Sequence, residues 1–210
     1  GKRMLMDNGW YRMLRNPKVE LVDEHVAEIA GNSLRTRDGV EYEADTLLLA
    51  TGFDVLNFIT TYEAIGRSGA SLSERWEDDN AKAYLGTVIP DFPNFFTLYG
   101  PNLQPGHGGS LIFVVEMQVR YIMDVIQKML DQNVGAVEIR QDVHDGYNED
   151  VDNAHEKMVW THPGMTSYYR NERGRIVVNS PWRNVDFYQM TREALLEEYV
   201  TESAGELIAD

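Results

Sequence analysis

The run TLLLATGFD, residues 46–54, limits the possible folds more than any other part of the sequence. Its apolar residues 47–50 follow one another without the polar alternation of a strand that has one face in water. Such a run predicts a strand buried on both faces, as in a parallel sheet covered by helices. The strand is expected to stop at Thr51 and Gly52, and α/β proteins usually bind ligands at this carboxyl edge of the sheet.

A second unit of strand, loop and helix is predicted between residues 95 and 131. FFTLYG, residues 95–100, has the composition of another buried strand, and PNLQPGHGGS, residues 101–110, has that of a loop. The sequence then predicts an amphipathic helix over residues 111–131, with Ser110 as its N-cap. The apolar stripe of this helix is predicted to consist of Val115, Val119, Ile122, Val125, Ile126 and Met129.

The rest of the chain is predicted to contain short strands and helices. An antiparallel meander is expected from residues 19–23, 26–30 and 32–38, with a turn at Asp38 and Gly39 and an edge strand within residues 38–45. Residues 57–93 are expected to form connections with one or two short helices. Helices are predicted over residues 142–158 and 185–199, a strand within residues 174–183, and a frayed acidic tail over residues 201–210.

The composition excludes several classes of function. The chain has 19 Lys and Arg against 34 Asp and Glu, so 19 − 34 = −15, and neither nucleic acid nor anionic lipid is an expected partner. It has no Cys, which excludes disulfides and thiolate metal sites and favours a reducing compartment such as the cytoplasm. The apolar run 111–115 is too short to span a bilayer. The His, Asp and Glu residues within 144–156 lack the spacing of a metal motif, so no metal site is predicted.

The glycine-rich loop is the first candidate for ligand contact. Gly106, Gly108 and Gly109 allow the backbone to approach a ligand closely, and Ser110 begins a helix whose free amides favour negative charge. The alternative is that the glycines only form the turn. No phosphate-binding fingerprint decides between these two interpretations.

Two further groups are ambiguous on their own. Aromatic residues with a polar handle often line pockets, which makes Tyr168 and Trp182 candidates, although such residues more commonly pack in a core. The pair Lys2 and Arg3 is basic in an acidic chain, and a pair of this kind is usually solvated surface.

Three segments together carry a family resemblance: LLLATGFD, YLGTVIPDFPNFFTLYGPN with GHGGS, and MTSYYRNERGRIVVNSPWR. They resemble the carboxyl-terminal part of class B flavoprotein monooxygenases, most of all Baeyer–Villiger monooxygenases of the 4-hydroxyacetophenone monooxygenase type. The resemblance implies an α/β fold in which two Rossmann-like domains are interleaved, in three layers of sheet and helix with a short antiparallel meander. Residues 1–52 would be the C-terminal half of the NADPH-binding domain, and residues 53–200 the C-terminal part of the FAD-binding domain.

The same resemblance implies the chemistry. NADPH reduces FAD, O₂ adds at flavin C4a, and the resulting peroxyflavin attacks a ketone to give an ester or lactone. Arg3 would be catalytic, facing the flavin, and Lys2 would meet the 2′-phosphate of NADPH. The other implied cofactor-binding residues are Thr51, Gly52, Asn102, Leu103, Gly108, Gly109 and Ser110, and the implied substrate residues are Tyr168 and Trp182.

Three alternatives to a complete Baeyer–Villiger enzyme follow from the sequence. The chain begins with Gly1 and lacks the FAD and NADPH fingerprints, which predicts a piece of a longer protein that is inactive by itself. An N- or S-oxygenating flavin monooxygenase would use a similar glycine-rich loop and a similar hinge between its two nucleotide-binding domains, which the resemblance places at ATG, residues 50–52. A non-catalytic module that self-associates through exposed apolar surface is the third.

Overall fold

The computed structural model describes residues 6–59, 61–106 and 108–205. The chain divides into two compact units, one within residues 4–53 and the other within residues 54–210. Both helices and strands are present, so the fold is of mixed α and β content. Within the described residues no helix is both long enough and apolar enough to cross a membrane.

The smaller unit contains the predicted meander. A short helix α1 (Trp10–Met13) precedes strands β1 (Val26–Ala30), β2 (Ser33–Thr36) and β3 (Glu41–Glu43). The strands pair antiparallel in the order β1-β2-β3, which confirms the meander and the edge strand. The turn is confirmed as well, because the Gly39 amide donates to the Thr36 carbonyl at 3.0 Å and Gly39 has a φ of 89°. The prediction of a strand over residues 19–23 is wrong.

The predicted buried strand over residues 46–54 is also wrong. These residues have no regular secondary structure, and the side chains of Leu48 and Leu49 are 86% and 72% exposed. A strand buried on both faces requires neighbouring strands and covering helices. No described strand pairs with this segment, so its apolar side chains lie in solvent.

The larger unit holds the remaining elements. They are the helices α2 (Leu72–Arg75), α3 (Leu111–Asp131), α4 (Gln141–His155) and α5 (Asn184–Met190), two short 3₁₀ helices (Val159–Thr161 and Leu196–Glu198), and the strands β4 (Val134–Ile139) and β5 (Tyr199–Ser203). The short helix within residues 57–93 and the helix near residues 142–158 are thereby confirmed. Strands β4 and β5 pair antiparallel, so the prediction of a frayed tail is wrong for residues 201–203, and residues 206–210 lie outside the described residues. The ladder pairs the backbone groups of β5 that face β4.

Helix α3 has the predicted bounds. The Ser110 hydroxyl accepts a hydrogen bond from the Phe113 amide at 3.4 Å, which confirms the N-cap. The predicted stripe is confirmed only at Val125, which is buried, and at Met129, which packs against the main hydrophobic cluster. The buried residues of the helix are Val114, Met117, Gln118, Tyr121 and Val125. Gln118 can be buried because its amide donates to the carbonyls of Gly86 and Thr97 at 3.1 and 3.2 Å. The helix carries apolar residues on two sides, so helical periodicity alone could not predict which side faces the core.

Three other predicted elements do not form. Residues 95–100 and 174–183 are not strands, and the helix predicted over residues 185–199 ends at Met190. Its continuation is prevented at Ala194, whose amide donates to the Asp124 carboxylate at 2.7 Å and whose carbonyl accepts from Lys128 at 2.6 Å. Among the described residues both sheets are antiparallel, so the three-layer parallel architecture is not formed by this part of the chain.

Candidate functional site

A cleft of about 260 Å³ lies between the glycine-rich loop, the start of α3 and the start of α5. It brings together four of the predicted site residues, Leu103, Gly108, Gly109 and Trp182. The other residues that line it are Pro105, Gly106, Val114, Ser180, Arg183, Asn184 and Phe187. Sites that enclose a whole drug-sized ligand measure roughly 300 to 1,000 Å³, so this cleft suits only one end of a dinucleotide.

The first half of the loop is fixed by backbone hydrogen bonds to residues 177–180. The amides of Asn102 and Gln104 donate to the carbonyls of Val177 and Val178 at 2.8 and 3.0 Å, and the Ser180 amide donates to the Gln104 carbonyl at 2.9 Å. The two segments run parallel at the bridge between Gln104 and Asn179. These bonds hold one wall of the cleft against the core.

Asn102 supports the loop from inside the protein. It has a φ of 58°, a left-handed conformation that Asn tolerates better than most residues, and it is 2% exposed. Its side-chain amide donates to the carbonyls of Ile176 and Asn179 at 2.7 and 3.2 Å. Because these hydrogen bonds are made inside the protein, the Asn102 side chain positions the loop. Cofactor binding at Asn102 stays a prediction.

Arg175 completes this buried network. Its guanidinium donates to the Asn102 side-chain oxygen at 3.0 Å, to the Ala81 carbonyl at 2.9 Å and to the Asp152 carboxylate at 2.8 Å. Burial lowers the pKa of Arg175, and the Asp152 carboxylate opposes that shift. His155 donates from Nε2 to the Asn179 carbonyl at 3.0 Å, and burial lowers its pKa to about 4. His155 is therefore neutral at neutral pH.

The second half of the loop approaches α5 closely. Gly108 and Gly109 have φ values of 60° and 88°, which non-glycine residues adopt at a cost. A Cβ on Gly109 would lie 2.6 Å from Nδ2 of Asn184. No side chain can be added at Gly109 unless Asn184 moves.

The start of α3 presents free donors beside the cleft. The amides of Leu111 and Ile112 make no hydrogen bond within the described part of the chain. A helix of 21 residues carries a partial positive charge at this end. The arrangement favours a carbonyl or an anionic edge of a ligand.

A buried polar side chain without a partner lies next to the loop. Asn179 is 0% exposed, and neither atom of its side-chain amide finds a hydrogen-bond partner among the described residues. Its Nδ2 is 3.3 Å from the position that a Cβ on Gly106 would take. Buried amides are almost always paired, so this one indicates a missing partner at the loop.

The two predicted aromatic residues separate in the structure. Trp182 lines the cleft, and its Nε1 donates to the Tyr147 hydroxyl at 3.2 Å, which fixes the indole. Tyr168 is 49% exposed, does not line the cleft, and donates to the Tyr169 hydroxyl at 2.7 Å. The structure therefore places only Trp182 with the loop.

The remaining predicted residues lie elsewhere. Thr51 and Gly52 belong to the smaller unit and are exposed, so the predicted strand end at which they would bind a ligand is absent. Lys2 and Arg3 lie outside the described residues. Within residues 6–59, 61–106 and 108–205 no group of three or more His, Asp or Glu side chains is placed to hold a metal ion.

Sequence reasoning missed Ser180, Arg183 and Asn184 as cleft residues. Arg183 is paired with Asp186 at 2.6 Å and its side chain is 78% exposed. The sequence did hold a signal for two of them, because Ser180 and Arg183 fall within the segment NSPWR that contributed to the family resemblance. The approach of Asn184 to Gly109 depends on the tertiary fold.

Comparison with known proteins gives relatives that are named monooxygenases. No protein-family model matches the chain. An uncharacterised monooxygenase of Sinorhizobium fredii is 47% identical over 201 residues, which is 96% of this chain and 30% of that protein. A Baeyer–Villiger monooxygenase of Streptomyces coelicolor is 32% identical over 206 residues, 94% of this chain and 38% of that protein. Further relatives are named FAD-binding monooxygenases.

The fold is shared as well. A solved structure of oxidised steroid monooxygenase bound to NADP matches with a TM-score of 0.80 and 25% identity, over 96% of this chain and 39% of that one. In both comparisons the chain spans about a third of the length of the proteins it matches.

Proposed function

The chain is a homologue of the Baeyer–Villiger monooxygenases over nearly its whole length, and on that premise we propose that it forms part of a FAD- and NADPH-dependent monooxygenase. The reaction is the insertion of one oxygen atom from O₂ beside a ketone carbonyl, giving an ester or lactone. In the complete enzyme, residues 1–52 form the C-terminal half of the NADPH-binding domain, and residues 53–200 form the C-terminal part of the FAD-binding domain. Both domains are of Rossmann type and are interleaved in the chain.

The cleft at the start of α3 is the observation that carries this proposal. The free amides of Leu111 and Ile112 suit the electron-rich edge of a flavin, and the space around Gly108, where an added Cβ would meet nothing within 4 Å, leaves the backbone open to it. The unpaired amide of Asn179 beside the loop supplies a further polar group in need of a partner. The volume of the cleft suits one end of FAD, and other parts of the enzyme make the remaining contacts with the cofactor.

Each group of residues then has a defined role. Bound FAD, reduced by NADPH, supplies activated oxygen. Gly108, Gly109 and the start of α3 bind and orient the flavin edge and stabilise negative charge there. Trp182 borders the substrate.

The residues outside the cleft keep the roles that the family resemblance implies. Lys2 binds the 2′-phosphate of NADPH, and Arg3 stabilises the anionic oxygen that develops during transfer. Thr51 and Gly52 form the hinge between the two nucleotide domains. Similarity to the 4-hydroxyacetophenone type, a substrate role for Tyr168 and a cytoplasmic location stay predictions from the sequence.

A chimera tests the proposed function. The whole of this chain replaces the aligned region of the Sinorhizobium fredii relative, and the unaltered relative is the matched control. We expect the purified chimera to be yellow, with bound FAD identified after heat release, and to convert a ketone to an ester with NADPH. Loss of both FAD and ketone oxidation in the chimera, while the relative retains both, would refute the proposal.

The same chimera separates the alternatives. An N- or S-oxygenating enzyme would convert an amine or sulfide and leave ketones unchanged. A non-catalytic module would yield a folded protein without bound FAD and without NADPH oxidation.

A further inference from the structure

Three aromatic side chains in contact lead away from the cleft. Trp182 lines the cleft, and its ring centre is 6.4 Å from that of Tyr147. The ring centre of Tyr147 is in turn 5.3 Å from that of Tyr84, with the two ring planes at 75°. We call Trp182, Tyr147 and Tyr84 the aromatic series.

The last member of the aromatic series borders a second surface feature. Tyr84 lines a groove of about 710 Å³, together with residues that include Lys128, Gln189 and Glu198. No described residue lines both this groove and the cleft. The aromatic series therefore connects two separate features of the larger unit.

The hydrogen bonds of the two tyrosines differ. The Tyr84 hydroxyl donates to the Glu198 carboxylate at 2.9 Å. Burial and this carboxylate raise the pKa of Tyr84, so its hydroxyl is protonated at neutral pH. The Tyr147 hydroxyl accepts from Trp182, but no residue in the described ranges accepts its proton. Tyr84 is thus the phenol that has a base in place for its proton.

This arrangement suits the transfer of single electrons. The chain has no Cys, so Trp and Tyr are the side chains that lose one electron most readily. Electrons pass much faster between rings in contact than between rings far apart. A tyrosine that gives up its proton together with the electron becomes a neutral radical, which requires a nearby base. Within the aromatic series only Tyr84 meets that requirement.

We propose that the aromatic series is an electron relay, which moves a one-electron oxidation from the cleft to Tyr84 and so protects the cleft. This inference rests on the proposed function, because a monooxygenase forms oxygen-derived radicals when activated oxygen is not transferred to its substrate. Such radicals are the class of oxidant that the relay disarms.

The relay balances one electron and one proton. The oxidant in the cleft takes one electron from the indole of Trp182. An electron from Tyr84 replaces it across the ring of Tyr147, and the O–H bond of Tyr84 breaks as its proton passes to Glu198. A soluble thiolate then gives one electron to Tyr84, and Glu198 returns the proton. Two of the resulting thiyl radicals combine to a disulfide.

A second set of aromatic contacts is the main competing route. Trp160 lies 5.6 Å from Tyr169, and Tyr169 lies 4.1 Å from the exposed Tyr168, between ring centres. Trp160 does not line the cleft, and the Tyr168 hydroxyl donates to another phenol instead of a carboxylate. These differences favour Tyr84 as the end of the route.

The test generates an oxidant at the cleft without flavin. Because the chain has no Cys, Arg183→Cys introduces a single thiol at an exposed position beside Trp182, where a ruthenium tris-bipyridine photo-oxidant is attached. A light flash with a cobalt(III) ammine, which takes the first electron, leaves ruthenium(III) at the cleft. We expect electron paramagnetic resonance to detect a neutral tyrosyl radical, which is lost in Tyr84→Phe and in Glu198→Gln.

Tyr188→Phe is the matched control. Tyr188 is near the label in sequence, but its ring contacts the Arg120 guanidinium at 4.4 Å and it belongs to no ring pair of the aromatic series. This variant should keep the radical. Circular dichroism establishes that each variant is folded, and Tyr84→Phe decides the outcome if Glu198→Gln does not fold, because it removes only one hydroxyl.

The FAD-loaded chimera tests protection. During NADPH oxidation without a ketone, Tyr84→Phe should shorten the half-life of the enzyme and leave the initial rate unchanged. An equal half-life would overturn the inference, as would a labelled chain without a tyrosyl radical, a radical that persists in Tyr84→Phe, or one that Tyr168→Phe removes instead. A labelled chain that behaves as expected, with a chimera that binds no FAD, would support the relay and count against the proposed function.

Discussion

The guanidinium of Arg175 donates a hydrogen bond to the side-chain oxygen of Asn102, and the two atoms are 3.0 Å apart. Asn102 begins the loop that leads to the cleft, and Arg175 also reaches Ala81 and Asp152. One buried cation thus joins three segments that are distant in sequence. The loop geometry follows from this junction as well as from the glycines.

Replacing Arg175 should destabilise the larger unit. Arg175→Met leaves the Asn102 oxygen and the Ala81 carbonyl without a donor, and we expect a loss of about 2 to 4 kcal/mol in the free energy of unfolding. Urea denaturation followed by circular dichroism measures this. Arg173→Met is the control, because its exposed pair with Glu77 should contribute less than about 1 kcal/mol. Equal losses in the two variants would remove Arg175 from its supporting role.

Alanine at position 109 should destabilise the protein more than alanine at position 108. Gly108→Ala and Gly109→Ala both place a side chain at positive φ, at a cost of about 1 kcal/mol each. Only Gly109→Ala also collides with Asn184, which adds roughly 1 to 3 kcal/mol. Unfolding free energies of the two variants should therefore differ. Gly109→Ala combined with Asn184→Ala should cost less than the sum of the single changes, and strict additivity would show that the two residues do not meet.

His155 should make stability depend on pH. Its pKa is lowered to about 4 in the folded state by burial beside Arg175, against 6.5 when unfolded, so the unfolded chain takes up a proton first as the pH falls. The stability that His155 contributes is present above pH 6.5 and is lost as the pH falls toward 4. The loss between pH 7 and pH 5 should be about 2 kcal/mol.

The groups that face His155 are the Asn179 carbonyl, Arg175, Asp152 and the side-chain amide of Asn102. His155→Gln should reduce the slope of unfolding free energy against pH relative to the unaltered chain. Burial also lowers the pKa of His144, so a smaller slope remains in the variant. An unchanged slope in His155→Gln would contradict the assignment.

Local patterns were sufficient to predict α3 and the meander. The bounds of α3 follow from helical periodicity and the Ser110 cap, and the turn at Gly39 follows from its residue type. Both signals lie within a few residues of the structure they determine.

Features that depend on distant contacts could not be predicted in the same way. The segment TLLLATGFD has the composition of a buried strand, but its burial requires neighbours that the described chain does not provide. The pairing of β4 with β5 joins segments far apart in sequence. The Arg175 junction and the approach of Asn184 to Gly109 likewise exist only once the chain is folded.

Replacing Arg3 in the chimera should uncouple oxygen transfer from NADPH consumption. If its guanidinium stabilises the anionic oxygen, Arg3→Ala should bind FAD and oxidise NADPH but release hydrogen peroxide in place of ester. Arg3→Lys should restore little ester, because an ammonium lacks the planar fork of donors. Product chromatography measures the ester, and a peroxide assay measures the hydrogen peroxide that is released. Undiminished ester formation by Arg3→Ala would remove it from the catalytic role.

The most direct test of oxygen insertion uses isotopically labelled O₂. The chimera is supplied with NADPH, a ketone and ¹⁸O₂, and the product is analysed by mass spectrometry. Insertion of one atom from O₂ predicts an ester or lactone that carries one ¹⁸O, with one NADPH consumed for each product formed. An unlabelled ester, or labelled amine or sulfide products with the ketone unchanged, would contradict the assignment of this chain to a ketone-oxidising monooxygenase.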